Sequence, residues 1–187
     1  MLNMTTPNLR NNLRAGLTLI CLCLSACTPA LNWRQVSQDG ASVQLLFPCK
    51  PDQASREVPL TAGEHAVGGT LSLQGCEASG MQFTFAQLRV PTGVTPAEAL
   101  KNWRLASLAP LQAQAAPADA MSDEWVVKGA HMVPAPVRTR VLNDKHQAHF
   151  VWFASADHLY QAAVYGQPKD KGLTEAAETF FSGIKLP

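Results

Sequence analysis

Charge is scarce in this sequence and balanced in sign. Its 187 residues hold 15 Lys plus Arg against 14 Asp plus Glu, and charged residues make up 16%, below the usual quarter. That balance excludes a strongly basic nucleic-acid surface and gives no electrostatic case for any polyanion. Hydrophobic residues at 47% exclude a disordered chain. The run Ala15–Leu24 is about half the ~20 residues a bilayer span needs, so a permanent transmembrane helix is not expected. There is no internal repeat, no glycine-rich phosphate loop and no serine in a glycine-flanked elbow. Carboxylates are scattered, with no close pair for acid/base work. No catalytic residue, metal site or cofactor is therefore expected, and the length suits one domain with a tail.

What is present begins with an address. Met1–Arg14 is polar and carries Arg10 and Arg14 without an acid. The apolar stretch AGLTLICLCL follows, then the small residues Ser25 and Ala26, then Cys27. That order is the one a secretory signal peptide needs. The tetrad Leu24-Ser25-Ala26-Cys27 resembles the lipobox of bacterial lipoproteins. The peptidase takes small side chains before the cut, and the Cys27 thiol receives the diacylglyceryl group. The resemblance implies that residues 1–26 are removed and that 27–32 form a lipidated tether ahead of a single domain, 33–187. Acyl chains anchor a protein because each buried methylene contributes about 0.8 kcal/mol. Residue Thr28 stands where an Asp would signal inner-membrane retention, which implies the outer membrane, facing the periplasm.

Cleavage and lipidation leave Cys49 and Cys76, an even pair in an oxidising compartment. They are expected to form a disulfide. The alternative is two free thiols, one of them a nucleophile beside a histidine.

Along the remaining chain, Trp33–Ser37 and Ser42–Phe47 read as strands about the turn Gln38-Asp39-Gly40. Val43, Leu45 and Phe47 alternate with polar residues and should share one buried face. Ala54–Thr61 and Ala66–Leu73 are weaker strands, the second with a bend at Gly68-Gly69. Met81–Val90 alternates clearly through Met81, Phe83 and Phe85. Thr95-Pro96-Ala97-Glu98 opens a helix, with Thr95 as N-cap and Glu98 completing a capping box. Ala99, Leu100, Trp103 and Ala106 or Ser107 give it one apolar face. Ala109–Asp123 reads as a long loop, and Glu124–Lys128 as a short strand. Val137–Leu142, Ala148–Ala154 and His158–Tyr165 are further strands. The second of these is apolar on both faces and therefore central. Thr174 should cap a last helix with Ala177, Phe180, Phe181 and Ile184 as its stripe. Short turns between successive strands require antiparallel pairing. The expected class is α+β, helices packed on a mostly antiparallel sheet.

Two segments resemble the PsbP-like proteins. Ser42–Pro51 (SVQLLFPCKP) is similar to their early strand followed by Phe-Pro and a further Pro. Ala176–Lys185 (AAETFFSGIK) is similar to their closing helix, with Gly183 and Ile184 in place of Ser and Phe. The resemblance implies an α/β/α sandwich and brings no catalytic residues. Members of that superfamily are mostly non-enzymatic accessory, assembly or binding proteins.

Other constellations are weak. His146 and His149 form an H-x-x-H, but on a strand an offset of three points to opposite faces. His65, His131 and His158 stand alone, and zinc needs three or four converging ligands. Trp33, Trp103, Trp125, Trp152, Phe180 and Phe181 are expected in the core. Three functions follow: a non-catalytic, lipid-anchored periplasmic domain assisting an envelope protein; a carrier of a small apolar ligand, with a pocket between sheet and helix; and, last, a hydrolase or thiol enzyme.

Overall fold

Alternation of apolar and polar side chains builds a sheet with two buried faces. The computed structural model describes residues 31–37, 43–59, 68–90, 92–113 and 119–186. The expected signal peptide, Cys27, most of the tether, the turn Gln38-Asp39-Gly40 and His65 lie outside the described residues. Leu31–Pro187 forms one compact unit.

The strands are β1 (Arg34–Ser37), β2 (Gln44–Phe47), β3 (Asp52–Pro59), β4 (Gly68–Ala78), β5 (Met81–Arg89), β6 (Asp119–Glu124), β7 (Val137–Leu142), β8 (Gln147–Ser155) and β9 (His158–Gly166). The helices are α1 (Pro96–Ala113), between β5 and β6, and α2 (Leu173–Ser182), after β9. β1 and β2 form a two-stranded sheet, and the other strands form a seven-stranded sheet in the order β3-β4-β5-β9-β8-β7-β6. Every pairing is antiparallel. The large sheet is thus two meanders, β3–β5 and β6–β9, joined along β5 and β9. Ser79 and Gly80 both take positive φ (53° and 73°), as a two-residue turn between β4 and β5 requires.

On one face lie Met81, Phe83, Phe85, Val151, Phe153, Ala162 and Val164. They are covered by α2, through Ala176, Ala177, Phe180 and Phe181, and by Val43, Leu45 and Phe47 of the first hairpin. Phe180 tilts against Phe47 at 5.0 Å and meets Phe83 edge-on at 5.6 Å. Gln44 pairs with Lys185, so the chain's last residues seal the hairpin. The other face carries Leu71, Ala86, Leu88, Phe150, Trp152, Leu159 and Ala163 under Ala99, Leu100 and Leu108 of α1. Among the described residues α1 lies over β8 and β9 and flanks the β3–β5 side of that face.

Several expectations need correction. The helix does not end near Ser107 but runs through Pro110 to Ala113, so much of the loop expected at Ala109–Asp123 is ordered. Pro110 costs the helix one backbone bond, to the Ala106 carbonyl. Burial of Leu108 offsets that loss, and the Leu111 carbonyl accepts Asn143 Nδ2 at 3.1 Å. The next strand is Asp119–Glu124 rather than Glu124–Lys128; the Trp125 N–H still donates to the Pro136 carbonyl at 3.1 Å and its ring meets Phe181 edge-on, and the strand ends there. Gly68 and Gly69 do not bend the chain; they pair with Pro59 and Val58. Thr174 is not the cap of the last helix. Gly172 is, held by Asp170 Oδ1, which accepts its N–H at 3.2 Å. Thr95 does cap α1: its Oγ1 accepts the Glu98 N–H at 3.2 Å.

Candidate functional site

The β3–β5 side of the second face forms the floor of a groove beside α1. Its floor is the strand row Arg56 and Val58 of β3, Leu71 and Leu73 of β4, and Thr84, Ala86 and Leu88 of β5. These residues share a face because the register pairs Arg56 with Leu71, Leu71 with Leu88 and Leu73 with Ala86. Trp103, Ala106, Ser107 and Pro110 of α1 form the wall, and Gln161 and Tyr165 of β9 lie where wall and floor meet. The cavity measures about 550 Å³, within the range of small-molecule sites.

Its polar side chains are Arg56, Gln82, Thr84, Asn102, Ser107, Gln161 and Tyr165. Gln161 is buried, and its Oε1 accepts the Ser107 hydroxyl at 3.0 Å, tying sheet to helix. Thr84 Oγ1 donates to the Ala163 carbonyl at 3.5 Å. Burial pushes the Tyr165 phenol up to about 12, so it stays protonated and adds no negative charge. Among the described residues Arg56 is the one charged side chain of the lining.

A second cluster lies on the α2 side. Arg138 is hydrogen-bonded to Asp123, to Glu178 Oε1 at 2.6 Å, and stands 4.5 Å over the Trp125 ring. Its hydrogen bond holds the Asp123 carboxyl below its usual range. His149 is buried beside Arg140, its β7 partner. Desolvation, then the Arg140 and Arg138 charges, push its pKa down to about 4. All these groups are neutralised or internally paired, so the cluster reads as a strut between β6, β7 and α2.

The sequence-derived candidates fall as follows. Cys49 and Cys76 are bonded, with α-carbons 6.1 Å apart, so no free thiol stands at either position. Cys27 lies outside the described residues. His149 is buried while His146 sits half-buried at the turn before β8. Among the described residues no three His, Cys, Asp or Glu side chains converge as a metal site. Trp152, Phe180 and Phe181 are core, whereas Trp33, Trp103 and Trp125 are only half-buried. Trp103 lines the groove, a role that its helical spacing alone did not assign. Residues 102, 103, 106, 107 and 110 line it, so the groove wall takes up the Trp103 and Ala106/Ser107 part of the expected apolar face, and no separate signal in the sequence marks it.

No protein-family model and no curated protein matches this sequence. The fold is similar to the solution structure of cyanobacterial PsbP (CyanoP) from Synechocystis sp. PCC 6803. That likeness has a TM-score of 0.50 and 12% identity, over 88% of this chain and 99% of that one. A protein of unknown function from Pseudomonas aeruginosa is similar over 83% of this chain and 96% of its own, at 13% identity and a TM-score of 0.39. The fold is therefore PsbP-like: two helices and a mostly antiparallel sheet, as the sequence implied.

Proposed function

We propose that this protein is a non-catalytic binding domain, lipid-anchored through Cys27 to the outer membrane and facing the periplasm. In this reading it holds a small apolar ligand between α1 and the sheet. The observation that supports it is the groove, a cavity of about 550 Å³ floored by Val58, Leu71, Leu73, Ala86 and Leu88. A carrier needs such a cavity; an accessory domain acting through its surface does not. A nucleophile beside a base is what an enzyme would need there, and the lining offers only neutral polar groups and Arg56. The test is native mass spectrometry of protein isolated from envelope membranes. An apolar ligand should copurify with the wild type and be lost from Ala106→Trp, which fills the groove. Identical spectra for the two would refute the carrier reading. In the same preparation Cys27→Ala should leave the protein soluble or as uncleaved precursor; membrane fractionation unchanged from wild type would refute the anchor.

A second reading, docking to an envelope protein, draws on a different observation. Val126, Met132 and Val133 are 87%, 69% and 86% exposed on the connection from β6 to β7. Exposed apolar side chains gathered on one segment favour contact with a partner. Crosslinking from residues on this connection would capture that partner.

A further inference from the structure

We infer that the groove is built for a single-chain amphiphile with an anionic, carboxylate-type head, the head meeting Arg56 and the chain lying on the β4–β5 floor beside α1. The inference rests on the carrier reading and adds to it the chemistry of the ligand.

The argument starts from charge. Among the described residues Arg56 is the single charged one of the groove lining, and it is exposed on β3. Among the described residues no carboxylate lies within ion-pair reach of it. Its neighbour Glu57 points to the other face, as alternation requires, and accepts the Thr70 hydroxyl at 2.5 Å. The guanidinium fork is thus left for something outside the chain, and it matches a carboxylate bidentately.

Nothing in the groove opposes that charge. Tyr165 stays protonated, and Gln161 has its carbonyl oxygen engaged by Ser107. Among the described residues the groove therefore carries one positive charge and no negative one. A cationic amphiphile would be repelled, and a neutral one would leave the arginine unused.

Geometry then sets the orientation. Arg56 is paired with Leu71, and Leu71 with Leu88, so an apolar row starts at the β4 neighbour of Arg56 and runs on to β5. Trp103, Ala106 and Pro110 wall that row on its α1 side. A head at Arg56 lays an attached hydrocarbon chain along this row, where each methylene leaves water.

The test is isothermal titration of the full chain carrying Cys27→Ser, purified without detergent, with alkanoates of increasing length, dodecanol and dodecyltrimethylammonium. Dodecanoate should bind one to one, at least tenfold more tightly than dodecanol. Affinity should rise about three- to fourfold per added methylene. Arg56→Gln should abolish the preference for dodecanoate, bringing its affinity to that of dodecanol in the same variant, and Ala106→Trp should block both. Equal affinity for dodecanoate and dodecanol, or tighter binding of the cationic amphiphile, overturns the anionic assignment and leaves the carrier reading standing. Failure of all three probes to bind a folded protein overturns both.

Discussion

Removing the Cys49–Cys76 bridge should cost the domain several kilocalories and loosen one part of it first. The two cysteines are 27 residues apart. Closing a loop of that length in the unfolded chain is worth about 3.5 kcal/mol by chain entropy. In a domain of this size each kcal/mol moves Tm by about 2–4 °C, so the double variant Cys49→Ser, Cys76→Ser should melt roughly 7–14 °C lower. The loss should be uneven. β1 and β2 pair with each other and, outside the hairpin, only through the Gln44–Lys185 bridge. The disulfide carries the exit of β2 to β4, a strand of the large sheet. Without it the hairpin depends on Val43, Leu45 and Phe47 packing beneath α2. Thermal unfolding by near-ultraviolet circular dichroism, with and without reductant, measures the global term. Hydrogen exchange measures the local one: amides of β1 and β2 should lose more protection than those of β8 and β9. An unchanged Tm in the variant, or quantitative thiol labelling of denatured, unreduced protein, would refute the reasoning.

Three further outcomes are expected. Gly183→Ala places a Cβ 2.4 Å from Leu46 Cβ and should cost about 1–3 kcal/mol by overpacking; a urea midpoint matching wild type would contradict it. His149, with its pKa pushed down to about 4, binds fewer protons folded than unfolded, so stability should be full above about pH 6.5 and fall as pH drops toward 4. His149→Gln should flatten that stretch of the stability profile, and a variant retaining the wild-type slope would assign it elsewhere. Arg138→Ala strips the partner from Asp123 and Glu178 and uncovers Trp125. It should cost about 2 kcal/mol, less in high salt, with Arg138→Lys recovering only part because it lacks the fork.

Where a segment's pattern was strong, sequence and structure agree. Met81–Val90 and Val137–Leu142 are strands with nearly the expected ends. Ala148–Ala154, apolar on both faces, lies inside central β8, buried throughout. Misreadings fall where tertiary contacts outweigh local chemistry. Pro110 argues for a break, yet Leu108 and Leu111 draw the helix onward across the sheet. Gly68 and Gly69 look like a bend, yet β3 supplies a ladder for them. Thr174 looks like a cap, yet Leu173, fully buried, starts the helix one residue earlier. The Gly183 departure from the PsbP-like pattern has a steric reason, the close approach of Leu46, which no reading of the closing helix alone could supply. The groove was the least legible feature. Among the described residues it arises because α1 lies over β8 and β9 and only flanks β3–β5, and helix placement is a property of packing rather than of any local motif.

The meeting of β5 and β9 sets how this chain must fold. Each meander can form from neighbours in sequence, but the ladder from Gln82–Tyr165 to Arg89–His158 joins residues on the order of 70–80 positions apart, and closing so long a loop is slow. Until it closes, β5 and β9 are both open strand edges carrying Phe83, Phe85, Tyr160 and Val164, side chains otherwise sealed in the core. Such edges pair with other chains as readily as with each other. Refolding yield should therefore fall steeply with protein concentration, and the half-assembled sheet is the species that a chaperone would have to shield.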